Sequence, residues 1–575
     1  MSDPRNIENG LEIPTESYAD QPYIVKTDDG AWLCAVTTGG GHEGQPGQHV
    51  ITMRSTDLGK TWDDRADVEP ADGPEASYAV LLKTSYGRIY CFYNHNTDNQ
   101  REVIADDPPY TGGKCARVDS LGYYVFKHSD DHGRTWSAER SRMPVREFDI
   151  DRENAYGGSV RFFWNVGRPF TRDGDAYMSL HKVGGFGHGF FTRSEGVLVR
   201  SPNILTERDI AKLSWETLPD GDAGLRTPPG GGPIAEEQSY CVLSDGSLYV
   251  VYRTVDGHPC HAYSRDGGHT WTAPRYKAYA DGRPMKHPRA ANFVWRCSNG
   301  KYLYWFHNHG GRDYYDRNPV WMCGGVEIDS PEGKLIRWSQ PEIVLYDDDP
   351  ATRMSYPDLV EHDDRYFLTE TQKTVARVHE IAPEVFDRQW DQFTRRGVTQ
   401  EGLALDVAGS DLGPASDIAL PTPVSVQDGL SLDGWLRPDA AGTRGLLVDG
   451  RGPEGAGIAL ERTDSGAVEL ILSDGVAESR WECDPGTLEA GHAHHVGVIV
   501  DPGPGLILFV IDGKLNDGGE HRQFGWGRLN SDMDASSACA ARVRVGGAAG
   551  VERLRLYDRS LAVSDLIAAY RAGSC

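Results

Sequence analysis

Polar and charged residues stand at the starts of six otherwise apolar segments of the sequence. The six groups are Asp20-Gln21, Glu75-Ala76-Ser77-Tyr78, Arg168, Glu237-Gln238-Ser239, His287-Pro288-Arg289 and Tyr356-Pro357-Asp358. Carboxylates can transfer protons, and arginines can bind carboxylate or hydroxyl groups of a ligand. Because a ring of buried arginines and carboxylates is costly unless a ligand or partner pairs it, these groups predict a binding or catalytic site. The alternative is that each group lies in a solvated loop.

A recurring turn indicates which elements position these groups. The pattern S-x-D-x-G-x-T-W occurs at residues 55–62, 129–136 and 264–271. Its Asp can accept backbone N–H bonds, its Gly can take a positive φ, and its Trp can pack between neighbouring units. The copies are separated by one and by two periods of roughly 70 residues, and a fixed period of this size is typical of a propeller or another repeat array.

Short alternating segments follow turns such as Asp28-Asp29-Gly30, and they are predicted to be strands. They include residues 31–36, 88–93, 247–252 and 301–306. Six units can be counted, and only Trp215 and Trp338 mark the turn position in the third and fifth. The first strands of the units start near Gln21, Ser77, Arg168, Ser239, Arg289 and Tyr356. The sequence therefore predicts a six-bladed β-propeller over residues 1–400, with the polar groups meeting at one end of its axis.

The sequence after residue 400 is of a different kind. Residues 383–394 are predicted to be a short helix, and the repeat stops there. Strand-like segments follow at residues 445–449, 457–461, 468–472, 494–500, 506–511 and 551–557. They predict an antiparallel β-sandwich over residues 401–575. The segments HHVGVIVD and ILFVIDGKL make this region resemble the laminin-G-like, or concanavalin-like, jelly-roll family, whose members bind sugars in some proteins and brace a neighbouring domain in others.

Composition limits the classes of function. The chain has 575 residues with 59 Lys and Arg against 85 Asp and Glu, and its net charge of −26 argues against a nucleic-acid or anionic-membrane partner. Hydrophobic residues at 39% exclude a disordered chain, and the 67 glycines indicate many tight turns. No run of about 18 apolar residues, the length that a membrane-spanning helix needs, is present.

The remaining signals concern compartment and cofactors. The N-terminal residues lack a basic and apolar leader, and the ten cysteines are scattered without a CxxC pair, which is typical of reduced, mostly buried thiols. We therefore expect a cytoplasmic protein, or a secreted one if a leader precedes this sequence. No phosphate-binding loop, dinucleotide motif or HExxH helix is present, so no cofactor is predicted. The Asp- and Gly-rich loops could hold a structural Ca²⁺, although no spacing demands it, and nothing indicates the oligomeric state.

The recurring turns and the six units resemble the sialidase (neuraminidase) superfamily of Asp-box propellers over roughly residues 15–380. The segment from Glu237 to Arg253 is similar to the sialidase strands that carry the Glu partner of the nucleophile and the second carboxylate-binding Arg. Arg317 stands where the third such Arg is expected, and Tyr356-Pro357-Asp358 resembles the strand with the nucleophilic Tyr. The resemblance implies that Glu237 takes the phenol proton of Tyr356, whose neutral hydroxyl avoids repulsion by an anionic sugar.

The first blade departs from the sialidase pattern. Sialidases open it with Arg-Ile-Pro, whose Arg binds the sugar carboxylate, but this chain has Asp20-Gln21-Pro22, a reversal of charge. Where sialidases place the acid/base Asp, this chain has Gly41-His42-Glu43-Gly44. Arg168 or Arg289 could restore the positive charge from another direction. Asp20 could instead bind a hydroxyl group or donate the proton.

The sequence thus predicts an exo-acting, retaining glycoside hydrolase for a carbohydrate substrate whose terminal sugar need not be sialic acid. Tyr356 and Glu237 are the predicted nucleophile pair, with Asp20 ranked first and Glu43 second as the proton donor. The predicted substrate-binding residues are Arg253, Arg317, Arg168, Arg289, His287, Glu75, Tyr78, Asp358 and Gln21. Two alternatives stay open: a non-catalytic carbohydrate-binding propeller, and a polysaccharide lyase in which a Tyr or His removes a proton beside a uronate carboxylate.

Overall fold

The structure, a computed structural model, is built almost entirely of antiparallel β-strands. It describes residues 3–106, 113–115, 119–160, 162–187, 191–412, 415–438, 445–546 and 550–574. Within these residues, six sheets of four or five strands precede residue 400 and two larger sheets follow it. The prediction of an all-β chain, a propeller followed by a β-sandwich, is confirmed.

Apart from Leu11–Ile13, which joins the sixth sheet, each of the first six sheets uses strands that follow one another along the chain, and we number the sheets in that order. Sheet 1 contains Tyr18–Lys26, Trp32–Gly39, His49–Ser55 and Asp63–Asp67; sheet 2 contains Ala76–Lys83, Ile89–His95, Tyr123–Ser129 and Ser141–Arg142; sheet 3 contains Phe163–Trp164, Phe170–Arg172, Asp175–Phe186, Phe191–Ser201 and Glu216–Leu218. Sheet 4 contains Glu236–Val242, Leu248–Arg253, Cys260–Ser264 and Arg275–Tyr276; sheet 5 contains Phe293–Arg296, Tyr302–Phe306, Val320–Ser330, Gly333–Trp338 and Glu342–Leu345; sheet 6 contains Leu359–His362, Arg365–Thr371, Ala376–Ile381 and Leu11–Ile13. A separate small pair joins Val103–Ile104 to Lys114–Cys115.

The first strands of the six sheets meet around a central channel. Residues 23–26, 81–83, 168–170, 239–242, 293–296 and 357–361 together line a cavity of about 520 Å³ in this channel. The ring is closed by Leu11–Ile13, which comes from the start of the chain and pairs with Ala376–Ile381 at the edge of sheet 6. Closure of this kind leaves each sheet packed on two neighbours, so the strands at the channel are held from both sides.

The three S-x-D-x-G-x-T-W segments form one kind of turn, which joins the third and fourth strands of sheets 1, 2 and 4. In sheet 2, Asp131 accepts the backbone N–H of Thr135 at 2.9 Å and its hydroxyl at 2.7 Å. Gly133 has a φ of 86°, and a Cβ there would lie 2.4 Å from Leu33 of sheet 1, so only glycine fits. The indole of Trp136 donates to Thr52 Oγ1 of sheet 1 at 2.9 Å. The turn therefore fastens neighbouring sheets to each other.

The two larger sheets form the sandwich. Sheet 7 contains Leu403–Ala408, Leu430–Leu436, His494–Asp501, Leu506–Ile511, Lys514–Leu515, Gly527–Arg528 and Val551–Tyr557. Sheet 8 contains Ala415–Ser425, Gly445–Asp449, Gly457–Arg462, Val468–Ser473, Glu478–Glu482 and Cys539–Gly546. Alternating apolar residues such as Leu432, Val498 and Leu470 make up one buried cluster between the sheets.

The described helices are few and short. The α-helices span Asp149–Arg152, Pro383–Asp391 and Val563–Ala572, and 3₁₀ turns span Ile7–Asn9, Ile210–Lys212 and Gly409–Asp411. The helix predicted at residues 383–394 is present, and it ends three residues earlier than expected. None of the helices that the structure describes combines the length and apolar character needed to cross a membrane. Nine cysteines are described as free thiols, of which eight are buried and Cys539 is exposed; Cys575 lies outside the described residues.

Charged groups join the propeller to the sandwich. Buried Glu342 of sheet 5 accepts the backbone N–H groups of Val563 at 3.0 Å and Ser564 at 2.7 Å, and so caps the helix Val563–Ala572 of the sandwich. A carboxylate at a helix N-terminus satisfies free N–H groups and complements the helix dipole. Arg5 and Arg283 of the propeller also bind Asp501 at 2.7 Å and Asp517 at 2.8 Å.

We expect Glu342→Ala to lower the free energy of unfolding by about 2 kcal/mol, because it leaves buried N–H groups at the helix start without an acceptor. Chemical denaturation followed by circular dichroism would measure the change. Glu332→Ala, which removes an exposed carboxylate in the turn between Val320–Ser330 and Gly333–Trp338 of the same sheet, is the matched control and should alter stability by less than about 0.5 kcal/mol. Equal effects of the two substitutions would contradict the capping role.

Candidate active site

Four of the six inner strands carry the same backbone irregularity. Gln21, Tyr78, Glu237 and Tyr356 have φ angles of 52, 62, 57 and 48°, in the left-handed region that is rare for residues with a Cβ. At each of them the strand has one more residue than its partner, which makes a β-bulge. Such bulges re-aim side chains, and strain of about 1–3 kcal/mol per residue persists where the surrounding fold imposes it. The four bulges mark the end of the channel where the candidate site lies.

Tyr356 and Glu237 form a hydrogen-bonded pair at this end. The Tyr356 hydroxyl donates to Glu237 Oε1 at 2.7 Å, and both side chains are buried. Burial, together with the charge of Glu237, raises the pKa of Tyr356 well above its usual value. Burial also raises the pKa of Glu237, and the neighbouring Glu236 raises it further, while Arg253 opposes them. Glu237 is thus placed to accept the phenol proton.

Glu236 differs from Glu237 in its environment. Although burial opposes ionisation, Arg289 and Arg253 lower the pKa of Glu236 to about 2. Arg253 lies 2.8 Å from Glu236 and 2.9 Å from Glu237, and Arg289 lies 2.9 Å from Glu236. Two adjacent carboxylates therefore have pKa values that are pushed apart, with Glu236 as a fixed anion and Glu237 as a group that can take a proton.

Arg317 is the buried arginine without a carboxylate partner among the residues that the structure describes. Its Nη1 donates to Ser355 Oγ at 2.6 Å, and its Nε has no hydrogen-bond partner. Burial lowers the pKa of Arg317, and the charges of Tyr356 and Glu237 oppose that shift, so Arg317 lies near the pair. A buried guanidinium that has no carboxylate partner is suited to bind an anionic group of a ligand.

Asp20 and Glu43 share one cation, Lys373, which lies beside the ring of Tyr356. Lys373 Nζ lies 2.8 Å from Asp20 Oδ2, 3.2 Å from Glu43 Oε1 and 4.0 Å from the centre of the Tyr356 ring. The Tyr18 hydroxyl also donates to Asp20 Oδ2 at 2.7 Å. Burial raises the pKa of Asp20 and Glu43 adds to this, whereas Lys373 lowers it. Two carboxylates beside one ammonium group can hold a proton.

Lys373 and Tyr18 were missed by sequence reasoning. Lys373 lies in the turn between Arg365–Thr371 and Ala376–Ile381, with a φ of 74°, where no alternation pattern marks it. One signal could have found it: a buried carboxylate such as Asp20 requires a cation, and Lys373 is a cationic residue in the last blade, which must adjoin the first in a closed ring.

Arg168 and Asp358 pair with each other further along the inner strands. Arg168 Nη1 lies 3.1 Å from Asp358 Oδ1, and the guanidinium also donates to the carbonyls of Leu359 and Ile24. Both residues line the 520 Å³ cavity rather than contacting Tyr356 or Glu237. The charge opposite Asp20 is thus supplied by Lys373, and neither Arg168 nor Arg289, which binds Glu236, contacts Asp20 in the described structure.

Three other residues that were predicted to bind substrate form contacts with protein groups. Gln21 Nε2 donates to the Asn165 carbonyl at 2.8 Å. Tyr78 donates to Asp119, and its ring stacks on Trp164 with centres 4.9 Å apart. Trp164 in turn lies 5.6 Å from the Arg253 guanidinium. Glu75 binds Arg101 with an Nη1 distance of 2.8 Å at the rim.

His287 is held by backbone groups on both ring nitrogens. Its Nε2 donates to the Ala290 carbonyl at 2.7 Å, and its Nδ1 accepts the N–H of His307 at 3.1 Å. Burial lowers the pKa of His287 to about 3, so the ring is neutral. The structure therefore gives His287 a role in fixing the loop before sheet 5. As to metals, no group of three or more His, Cys, Asp or Glu in the described residues could hold an ion.

In comparisons of sequence, no protein-family model and no curated protein matches the chain. Solved structures do match. A protein of unknown function from Dyadobacter fermentans is 16% identical, with a TM-score of 0.42, over 65% of this chain and 98% of that one. Trypanosoma rangeli sialidase in complex with sialic acid is 12% identical, with a TM-score of 0.43, over 98% and 96%. The intramolecular trans-sialidase of Ruminococcus gnavus is 15% identical, with a TM-score of 0.45, over 67% and 98%.

Arg253 is paired with two carboxylates, whereas Arg317 has no carboxylate partner in the described residues. Replacing each arginine should therefore change the free energy of unfolding in opposite directions, which can be measured without substrate. We expect Arg317→Met to raise the free energy of unfolding by about 1–2 kcal/mol, because it removes a buried cation that no carboxylate neutralises. Arg253→Met should lower it by about 3–5 kcal/mol, because Glu236 and Glu237 lose their shared partner. Urea denaturation would measure both changes, and destabilisation of similar size in the two variants would contradict the assignment.

Proposed function

We propose that this protein is a retaining, exo-acting glycoside hydrolase for a terminal sugar that carries a carboxylate. The observation that carries the proposal is the buried Tyr356–Glu237 pair, with a hydrogen bond of 2.7 Å, facing a guanidinium that has no carboxylate partner in the described residues. A phenol is a poor nucleophile at neutral pH unless a base takes its proton. Glu237 is that base, and Arg317 binds the sugar carboxylate.

The reaction proceeds in two displacements. In the first, Tyr356 Oη attacks the anomeric carbon, its proton passes to Glu237, and the glycosidic bond breaks as Asp20 protonates the leaving oxygen. The sugar is then bound covalently to Tyr356. In the second, water attacks the anomeric carbon, its proton passes to Asp20, and Glu237 returns its proton to the departing phenolate. Two inversions retain the configuration of the sugar.

The neutral nucleophile suits an anionic substrate. A carboxylate in the place of Tyr356 would face the sugar carboxylate with a like charge, whereas a phenol does not until the proton has moved to Glu237. Arg317 lies near Tyr356 and Glu237, and Lys373 lies near the Tyr356 ring and Asp20. These two cations stabilise the negative charge that develops on the phenol oxygen and on the donor carboxylate during the reaction.

Tyr356→Phe should reduce turnover to below about one thousandth of the wild-type value, because the nucleophile is lost. Glu237→Gln should reduce it by about 10²–10⁴-fold, because the base is lost while the shape is kept. Release of an aryl leaving group would measure both. Tyr252→Phe, which removes a buried hydroxyl that donates to the Arg226 carbonyl, is the matched control and should keep its activity. Full activity in either site variant would discard the nucleophile assignment.

The pH dependence of kcat/KM tests the proton donor. A donor must be protonated, so activity falls above the raised pKa of Asp20. Lys373→Met removes the cation that lowers this pKa, so the basic limb should move to higher pH. Glu43→Gln removes the charge that raises it, so the limb should move down. If the basic limb moves in the same direction in both variants, Asp20 is not the proton donor. If Glu43→Gln loses the basic limb while Asp20→Asn stays active, the donor role belongs to Glu43 instead.

A panel of aryl glycosides and oligosaccharides, with sialic acids, uronic acids and neutral sugars, tests the proposal as a whole, with products identified by mass. Hydrolysis of acidic sugars with retained configuration supports it. Absorbance from an unsaturated product would instead identify a lyase, and binding without product would identify a carbohydrate-binding propeller. The laminin-G-like character of the sandwich, the domain boundary near residue 400, the absence of a cofactor and the cytoplasmic location stay predictions.

A further inference from the structure

The loop at residues 307–319 carries Arg317 and lies against the sandwich. It connects Tyr302–Phe306 with Val320–Ser330 of sheet 5 and contains one isolated bridge, from His309 to Phe524 of the sandwich. Arg317 itself has a single hydrogen bond, to Ser355, and no ion pair in the described residues. Its position therefore depends on how the backbone of the loop is held.

Three hydrogen bonds from residues 523–528 of the sandwich reach the backbone of this loop. The N–H of Gly310 donates to the Gln523 carbonyl at 3.0 Å. The indole of Trp526 donates to the Asn308 carbonyl at 3.2 Å. Arg528 Nη2 donates to the Asn318 carbonyl, next to Arg317, at 2.8 Å. The sandwich thus contacts both ends of the loop.

His309 carries a second connection to the other neighbour of Arg317. Gln523 Nε2 lies 3.2 Å from His309 Nδ1, and His309 Nε2 lies 2.9 Å from the Asp316 carbonyl. The His309 ring also packs on Phe524, with centres 5.0 Å apart. Burial lowers the pKa of His309 to about 4, so the ring is neutral, with Nε2–H donating to Asp316 and Nδ1 accepting from Gln523.

We infer that residues 523–528 of the sandwich position Arg317, so that the second part of the chain takes part in recognition of the substrate anion; this rests on the proposed function of Arg317. The carbonyls on both sides of Arg317, those of Asp316 and Asn318, are bound from the sandwich, one through His309 and one directly by Arg528. A displacement of about 1 Å in a binding group can cost about 10²-fold in rate. Residues 523–528 are positioning residues and do not touch substrate.

The test compares an acidic substrate with its methyl ester, in which the carboxylate charge is absent, using the full-length chain. In the double variant Gln523→Ala/Arg528→Met we expect the ratio of kcat/KM for acid over ester to fall about tenfold, through KM, while kcat for the ester stays within about twofold. A merely structural loss of folded enzyme would lower both substrates equally and leave the ratio unchanged. Arg542→Met is the matched control, since Arg542 is an exposed arginine of the sandwich that binds Asp417.

Hydrogen exchange provides a readout that does not require turnover. The double variant should exchange faster at residues 308–318 than the wild type and the control, because the loop loses its contacts with the Gln523 and Arg528 side chains. An unchanged acid-over-ester ratio, or unchanged exchange in this loop, overturns the inference. A wild-type enzyme without preference for the acid overturns instead the proposed role of Arg317, so the two failures are distinguishable.

Discussion

Charged groups at the end of the propeller channel are removed from water, and this burial governs the arrangement around them. Glu236, Glu237 and Arg253 are at most 1% exposed. A buried ion without a partner is strongly destabilising, so each of these charges is bound by an opposite one. Arg317 is the exception in the described structure, and a fold keeps such an exception only when the other contacts supply the free energy that it costs. The ion pairs among Glu236, Glu237, Arg253 and Arg289 are contacts that can supply this free energy.

The backbone provides the second part of this rigidity. The four left-handed bulges on the inner strands are strained, and they lie where neighbouring sheets pack on both sides. Turns such as that of Asp131, with the Trp136 indole reaching sheet 1, hold the outer strands of adjacent sheets together. Leu11–Ile13, from the start of the chain, is the outermost strand of sheet 6 and ties the last sheet to the first. Side chains at the channel therefore have little freedom to relax away from one another, which keeps Tyr356 against Glu237.

Much of this arrangement could be predicted from the sequence, because it depends on local patterns. Turn residues and period-two alternation predicted the strands, and polar residues at strand starts predicted which groups meet at the channel. The pairing of Arg168 with Asp358 could not be predicted, since a shift of two residues along an inner strand moves a side chain away from the site. Lys373 could not be found from any pattern either, because a turn residue with a positive φ belongs to no alternation.

Charge is distributed unequally across the candidate site, which makes Asp20 compatible with the anionic substrate proposed above although it reverses the charge of the expected arginine. Arg317 supplies one positive charge near Tyr356 and Glu237, and Asp20, Glu43 and Lys373 form a separate group beside the Tyr356 ring. If one proton is held between Asp20 and Glu43, as the proposed donor role requires, that group is neutral and does not repel the proposed sugar carboxylate directed at Arg317. In the proposed reaction, that proton is the one that the leaving oxygen requires, and burial, which raises the pKa of Asp20, favours its protonated form. In the same proposal, Lys373 stabilises the anion that donation leaves behind, until water restores the proton.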